Sequence, residues 1–206
     1  DYVTPQLYLE MGHDKIAYEK LLDWWSRNGY GKHIYIGHGI YRATDKNASA
    51  WKNPRELPNQ LQLLRGYPQV QGSVYFSSKS FDANPNGWND SLRNNYYRYP
   101  ALLPPMSWIP GQAPFAPGVS IVKAGGETLR FAVQPATANP SPIKYYVIYR
   151  FPAARSIGTL VNNAEYIHEI VVKPKGFEQA ISLRAGTNRY QFYVSAVGTN
   201  NRESEL

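Results

Sequence analysis

The chain has 206 residues, 43% hydrophobic and 18% charged, with 22 Lys and Arg against 15 Asp and Glu and no cysteine. That length buries one substantial core or two modest ones, and the lack of cysteine excludes disulfides and thiolate sites while leaving an oxidising compartment open. The net charge of +7 divides into +3 over residues 1–108 and +4 over 109–206 without a basic block, which argues against a nucleic-acid partner, whose recognition clusters Lys and Arg on one element; no apolar run is long enough to span a bilayer. The chain opens on Asp1, with neither a starting Met nor the charged-then-apolar pattern of a signal peptide, so the natural amino terminus is expected upstream.

In chain order, Tyr2–Leu9, His33–Ile36 and Ser73–Phe76 are short β-rich runs, each followed by a segment with helical spacing or helix-start residues. A first helix is predicted over Asp14–Asn28, with Asp14 as N-cap, Ala17, Leu21, Trp24 and Trp25 as its apolar stripe and Gly29 as its stop. A second lies within Asn53–Arg65: Asn53-Pro-Arg-Glu56 resembles a capping box, and Leu57, Leu61 and Leu64 share a face, although Pro58 moves the regular part later. A third, shorter helix is predicted between Asp90 and Tyr97. Strand and helix alternating three times point to a parallel sheet.

From Trp108 to Val119 the sequence is rich in Pro and Gly without periodicity, an extended linker at a domain boundary. Domains are therefore expected over 1–108 and 119–206, with 109–118 between them. Beyond it come six strands with no helix among them: Val119–Lys123, Leu129–Gln134, Lys144–Phe151, Tyr166–Val172, Gln179–Leu183 and Tyr190–Val197. Such spacing indicates an antiparallel sandwich.

The second part resembles a fibronectin type III domain through Leu183-Arg-Ala-Gly-Thr-Asn-Arg-Tyr190, the run Gln191–Val197, and Glu203-Ser204. It departs from that pattern by one extra residue between Leu183 and Tyr190 and by Phe131 where the family often has Trp; its last strand, near Leu206, is expected to be short. The first part resembles a bacterial glycosyl-hydrolase-like family first catalogued as a domain of unknown function. The residues are Asp1–Tyr8, Leu22-Asp-Trp-Trp25, Ile34-Tyr-Ile-Gly-His-Gly-Ile-Tyr41, Glu56 with Asn59-Gln60-Leu61, and Gly72–Ser77. The resemblance implies the last three strand–helix units of a (β/α)8 barrel, an envelope location (periplasmic, cell-surface or secreted), and a glycan substrate such as the sugar backbone of peptidoglycan.

Glycoside hydrolysis ordinarily uses two carboxyl groups across the scissile bond, and in a barrel these sit at the carboxyl ends of strands. Glu10 is the best catalytic candidate by that rule, because it follows the first strand and shares parity with Gln6 and Tyr8. A solvated loop carboxylate is the equal alternative, and no second acid is evident. Gln6 and Tyr8 fit either sugar contacts or a polar network between strands. His38, between two glycines, is a sugar contact or proton carrier on one reading and a structural loop residue on the other. Tyr41 and Ser77, at the ends of the second and third strands, are further substrate-contact candidates; Ser77 and Ser78 have no adjacent base and give no nucleophile. Trp24 and Trp25 are expected in the core, while Trp51 and Trp88, in loops after the second and third strands, either stack on sugar or anchor those loops.

The four histidines lack metal-ligand spacing, and neither a phosphate-cradling loop nor a dinucleotide fingerprint occurs, so no metal or cofactor is expected. The expectation is a partial glycoside-hydrolase barrel plus a sandwich, inactive alone, with non-catalytic carbohydrate binding or scaffolding as the alternative. Open sheet edges and apolar groups around Val3, Ile34, Ile36 and Val74 would favour a homo-oligomer.

Overall fold

The structure, a computed structural model, describes residues 1–125, 128–160, 163–173, 175–182 and 189–206. It comprises a unit of Asp1–Arg98 and one of Tyr99–Leu206. The first is a small parallel sheet with helices; the second holds two antiparallel three-stranded sheets.

In the first unit the strands are β1 (Tyr2–Val3), β2 (His33–His38) and β3 (Val70–Tyr75), in the order β1-β2-β3 and all parallel. The first strand is far shorter than the run Tyr2–Leu9, because Pro5 has no N–H to donate to a ladder. Pairing resumes at once beyond it. The Pro5 carbonyl accepts from Gly37 N at 2.9 Å, and Leu7 N donates to the Gly37 carbonyl at 3.0 Å.

Helix α1 (Tyr18–Arg27) starts four residues later than Asp14, and its N-cap is Ala17, with no side-chain cap. The cause is local: His13 Nδ1 accepts from the amides of Lys15 and Ile16, both at 3.3 Å, and holds that stretch as a turn. The buried stripe is consequently Tyr18, Leu22 and Ser26, and Trp24, expected in the core, is 52% exposed with its ring edge-on to Trp25. Helix α2 (Glu56–Leu64) buries Leu57, Leu61 and Leu64 as its spacing requires. Its expected capping box does not form: the Glu56 carboxylate turns to Met11 N and Gln60 instead. Pro58 falls within the first helical turn, where no intrahelical N–H bond is lost. Helices α3 (Ser78–Asp82) and α4 (Trp88–Ser91) follow, and a π turn over Leu92–Tyr96 completes the expected third helical segment.

One face of the sheet is covered. Ile34 and Ile36 pack beneath Tyr18, Leu22 and Leu64 in one core, and Trp51, Leu57, Leu61 and Trp88 form a second beneath the loops. Of the apolar groups expected at open surfaces, Ile34 and Ile36 are thus buried, because their parity points to the helices; Val3 and Val74 are exposed, as are Tyr2 and Phe76.

The second unit contains β4 (Gly118–Gly125), β5 (Thr128–Gln134), β6 (Ile143–Pro152), β7 (Ile167–Val171), β8 (Phe177–Ser182) and β9 (Tyr190–Gly198). The sheets run β4-β5-β8 and β7-β6-β9. They face each other across Phe131, Val133, Tyr146, Ile148, Phe177 and Val194. The continuous run Tyr145–Tyr149 is buried on both faces of β6, and Tyr145, Val147, Tyr149 and Phe151 build a second core with Leu160 and Val197. Residues Leu183–Asn188, which include the end of the fifth expected strand and most of the expected corner, lie outside the described residues. The final pairing is one bridge, Val197 with Glu203, whose carboxylate accepts from Tyr149 Oη at 2.6 Å and from Ser195 Oγ at 2.5 Å.

The segment read as a linker is docked within this unit. Asn200 Nδ2 donates to the Gln112 carbonyl, Asn201 Nδ2 to that of Pro104, and Phe115 N to Asn139 Oδ1. A Pro-rich backbone makes no ladder of its own, so its polar groups take partners from neighbouring turns.

Candidate functional site

The carboxyl ends of β1, β2 and β3 bring three aromatic rings together. Tyr8 lies 5.9 Å from Tyr41, edge to face, and stacks on Phe76 at 6.0 Å; Tyr41 and Phe76 meet edge to face at 6.0 Å. Tyr41 is 38% and Phe76 55% exposed, so the cluster offers ring surface to solvent. Glycine makes the approach feasible: a Cβ on Gly39 would fall 3.0 Å from Cβ and Cγ of Tyr8. Burial, then proximity to Tyr41, raises the Tyr8 phenol above its ordinary pKa. Gln6 is exposed beside this cluster in sequence, bridged to Gly37 through its backbone.

Beneath the rings lies a polar network. His38 is fully buried between Tyr18 and Tyr75, with ring centroids at 5.9 and 5.4 Å. Its Nδ1 lies 2.9 Å from Gln60 Oε1 and its Nε2 3.1 Å from Ser73 Oγ. Gln60 Nε2 donates to the Leu9 carbonyl at 3.1 Å and to Glu56 Oε1 at 2.8 Å, and the same carboxylate oxygen accepts from Met11 N at 2.8 Å. Desolvation lowers His38 to about 4, against the upward pull of its Gln60 contact. Desolvation also raises Glu56, although its bonds from Met11 and Gln60 oppose this. Both ring nitrogens of His38 are thus engaged by protein side chains.

Glu10 is half-buried on the loop after Tyr8, with His13 Nε2 4.0 Å from its Oε1. Trp51 and Trp88 are 0% and 1% exposed and pack edge to face at 6.2 Å. They act as loop anchors in this structure: Trp88 Nε1 donates to the Pro54 carbonyl, and the Trp51 carbonyl accepts from Asn86. Ser77 precedes α3, where its carbonyl accepts from Ser80 N. Among the described residues no group of three or more His, Asp or Glu could hold a metal ion.

The structure therefore joins Tyr8 with Tyr41, sets His38 behind them and moves the two tryptophans inward. Sequence reasoning missed Phe76 as a partner of these tyrosines, and Gln60 and Ser73 as partners of His38. Strand parity could have suggested Phe76, and the i,i+4 spacing of Glu56 and Gln60 could have suggested a polar patch on α2.

The chain is related to a glycosyl hydrolase. The relative is Glycosyl hydrolase YngK of Bacillus subtilis (strain 168), 31% identical over 210 residues, an alignment that takes in all of this chain and 40% of the relative. The chain thus spans well under half of that protein. No family model matches the chain.

Proposed function

We propose that this chain is the glycan-contacting part of a glycoside-hydrolase-like protein, with Tyr8, Tyr41 and Phe76 as a platform for a sugar ring and Gln6 as a hydroxyl partner. The observation that carries this is the relationship to a glycosyl hydrolase along the whole chain, both units included. In this reading β1, β2 and β3 are the last three strands of a (β/α)8 barrel, and the second unit is a fibronectin type III-like sandwich. Parallel order supports the first assignment, and the sheet orders β4-β5-β8 and β7-β6-β9 support the second. The substrate is a glycan of the bacterial envelope, and the protein works there.

The chain alone does not hydrolyse it. The carboxylate at a strand end, Glu10, lies 4.0 Å from His13, and the acid that acts on it electrostatically, Glu56, is buried and held by Met11 N and Gln60, whereas hydrolysis ordinarily needs an acid pair free to flank the scissile bond. That same observation favours the second reading, non-catalytic carbohydrate binding. Incubation with bacterial cell-wall glycans should release no new reducing ends; robust release, abolished by Glu10→Gln, would make Glu10 catalytic. Titration with solubilised cell-wall glycan strands should show binding weakened about 3- to 10-fold by Phe76→Ala or Tyr41→Ala, as the loss of one aromatic contact implies. Binding indifferent to both changes would remove the platform.

A further inference from the structure

We propose that Gln60 is the positioning residue of the aromatic cluster: it fixes His38 as the neutral Nδ1–H tautomer and ties the loop that carries Tyr8 to the strands that lead into Tyr41 and Phe76. The proton on Nδ1 follows from donors and acceptors, and the neutrality of the ring from its burial. The Leu9 carbonyl can only accept, so the Gln60 atom 3.1 Å away is its amide nitrogen, and the second amide hydrogen goes to Glu56. That orientation leaves Gln60 Oε1, an acceptor, facing His38 Nδ1 at 2.9 Å. Nδ1 must therefore carry the proton. Complete burial disfavours the charged ring, so Nε2 is an acceptor, and the Ser73 hydroxyl at 3.1 Å donates to it.

Four segments converge on this chain of bonds. His38 ends β2 two residues before Ile40 opens the turn bearing Tyr41, Ser73 lies on β3, Leu9 and Met11 follow Tyr8, and Gln60 and Glu56 belong to α2. Phe76 N donates to the His38 carbonyl at 3.0 Å, so the third ring hangs from the same residue. No member of the network touches the exposed ring faces; it acts through the backbone on either side of each ring. The functional meaning of this positioning rests on the platform reading given above, whereas the tautomer and the tie to Leu9 do not.

The test uses the 206-residue chain labelled with [15N]histidine. At pH 7 the His38 ring should show a proton on Nδ1 and a bare Nε2, unchanged from pH 8 to pH 5. A proton on Nε2, or an averaged ring that titrates in the ordinary histidine range, would overturn the assignment. Positioning is read from nuclear Overhauser contacts between the rings of Tyr8, Tyr41 and Phe76. Gln60→Glu keeps an acceptor for His38, shares one proton with the adjacent Glu56 carboxyl and has no amide hydrogen for Leu9, so the Nδ1–H signature should persist while the Tyr8 contacts disappear and the second unit's amide spectrum stays unchanged. Tyr8 contacts retained in Gln60→Glu would refute the positioning role. Should Gln60→Glu fail to fold, the wild-type ring spectrum still decides the tautomer. Phe76→Ala separates the two proposals: it should weaken glycan binding and leave the His38 signature intact, and a chain that binds no glycan yet shows that signature retains this inference and loses the platform.

Discussion

The parallel sheet of the first unit and the β7-β6-β9 sheet of the second handle their two faces in opposite ways. Strand β2 buries Ile34 and Ile36 under helices, and the sheet's other face leaves Tyr2, Val74 and Phe76 exposed. Strand β6 buries five successive residues, with one core on each side. The contrast shows where variation is tolerated: an uncovered face can carry side chains chosen for binding, whereas a strand covered twice is committed to packing.

The largest effects are expected from truncation in two cores. Phe151→Ala and Trp51→Ala should each cost about 3–5 kcal/mol by urea unfolding, while Phe76→Ala and Trp24→Ala, on exposed rings, should stay within about 0.5 kcal/mol. Similar losses for Phe76 and Phe151 would mean that the uncovered face is covered in solution. Next in size is the docked Pro-rich segment. Residues 99–206 expressed alone should unfold cooperatively and be about 2–4 kcal/mol more stable than 119–206, because the shorter form loses the Asn200, Asn201 and Asn139 bonds and the packing of Leu102. Equal stability would return that segment to the role of a linker.

The buried network sharpens the comparison through pH. The folded state holds His38 near a pKa of about 4 against an ordinary value of 6.5, so the unfolded chain binds the extra proton between those values. The contribution of neutral His38 is full above pH 6.5 and is lost as pH falls towards 4, on the order of 2–3 kcal/mol. Glu56, raised by burial, acts with the opposite sign and offsets part of the loss. Unfolding midpoints at pH 7 and pH 5 should differ in the first unit, and His38→Phe should flatten the difference; a wild-type first unit indifferent to pH would contradict the burial. The smallest effect is association through the uncovered face: sedimentation across a concentration series should show weak self-association, reduced by Val74→Lys.

How much was legible in the sequence depended on range. All six strands of the second unit follow from β-rich runs set between turn residues, and Leu57, Leu61 and Leu64 announce their own face. The start of α1 was not legible, because a side chain three residues back from Ile16 captures the amides that Asp14 was expected to serve. Trp51 and Trp88 were visible as aromatics in loops, but their direction depends on Pro54 and Asn86, whose carbonyl and amide they meet only after folding. The partners of His38 lie 22 and 35 residues away on separate elements, beyond any local pattern.

The double burial of β6 also removes a safeguard. In a strand with one wet face, a slip of one residue turns apolar groups to water and is rejected for that reason. A slip along Tyr145–Tyr149 would still place apolar groups on both sides, so hydrophobicity scarcely distinguishes the correct alignment from its neighbour. Discrimination passes to the Glu203 carboxylate, which in the correct alignment receives hydroxyl protons from Tyr149 and Ser195. A displaced strand would set Ile148 or Arg150 near that place: Ile148 has no proton to offer, and Arg150, exposed in the correct alignment, would carry its charge into the core. One acidic side chain beside the last bridge therefore serves as the proofreader of the longest strand among the described residues.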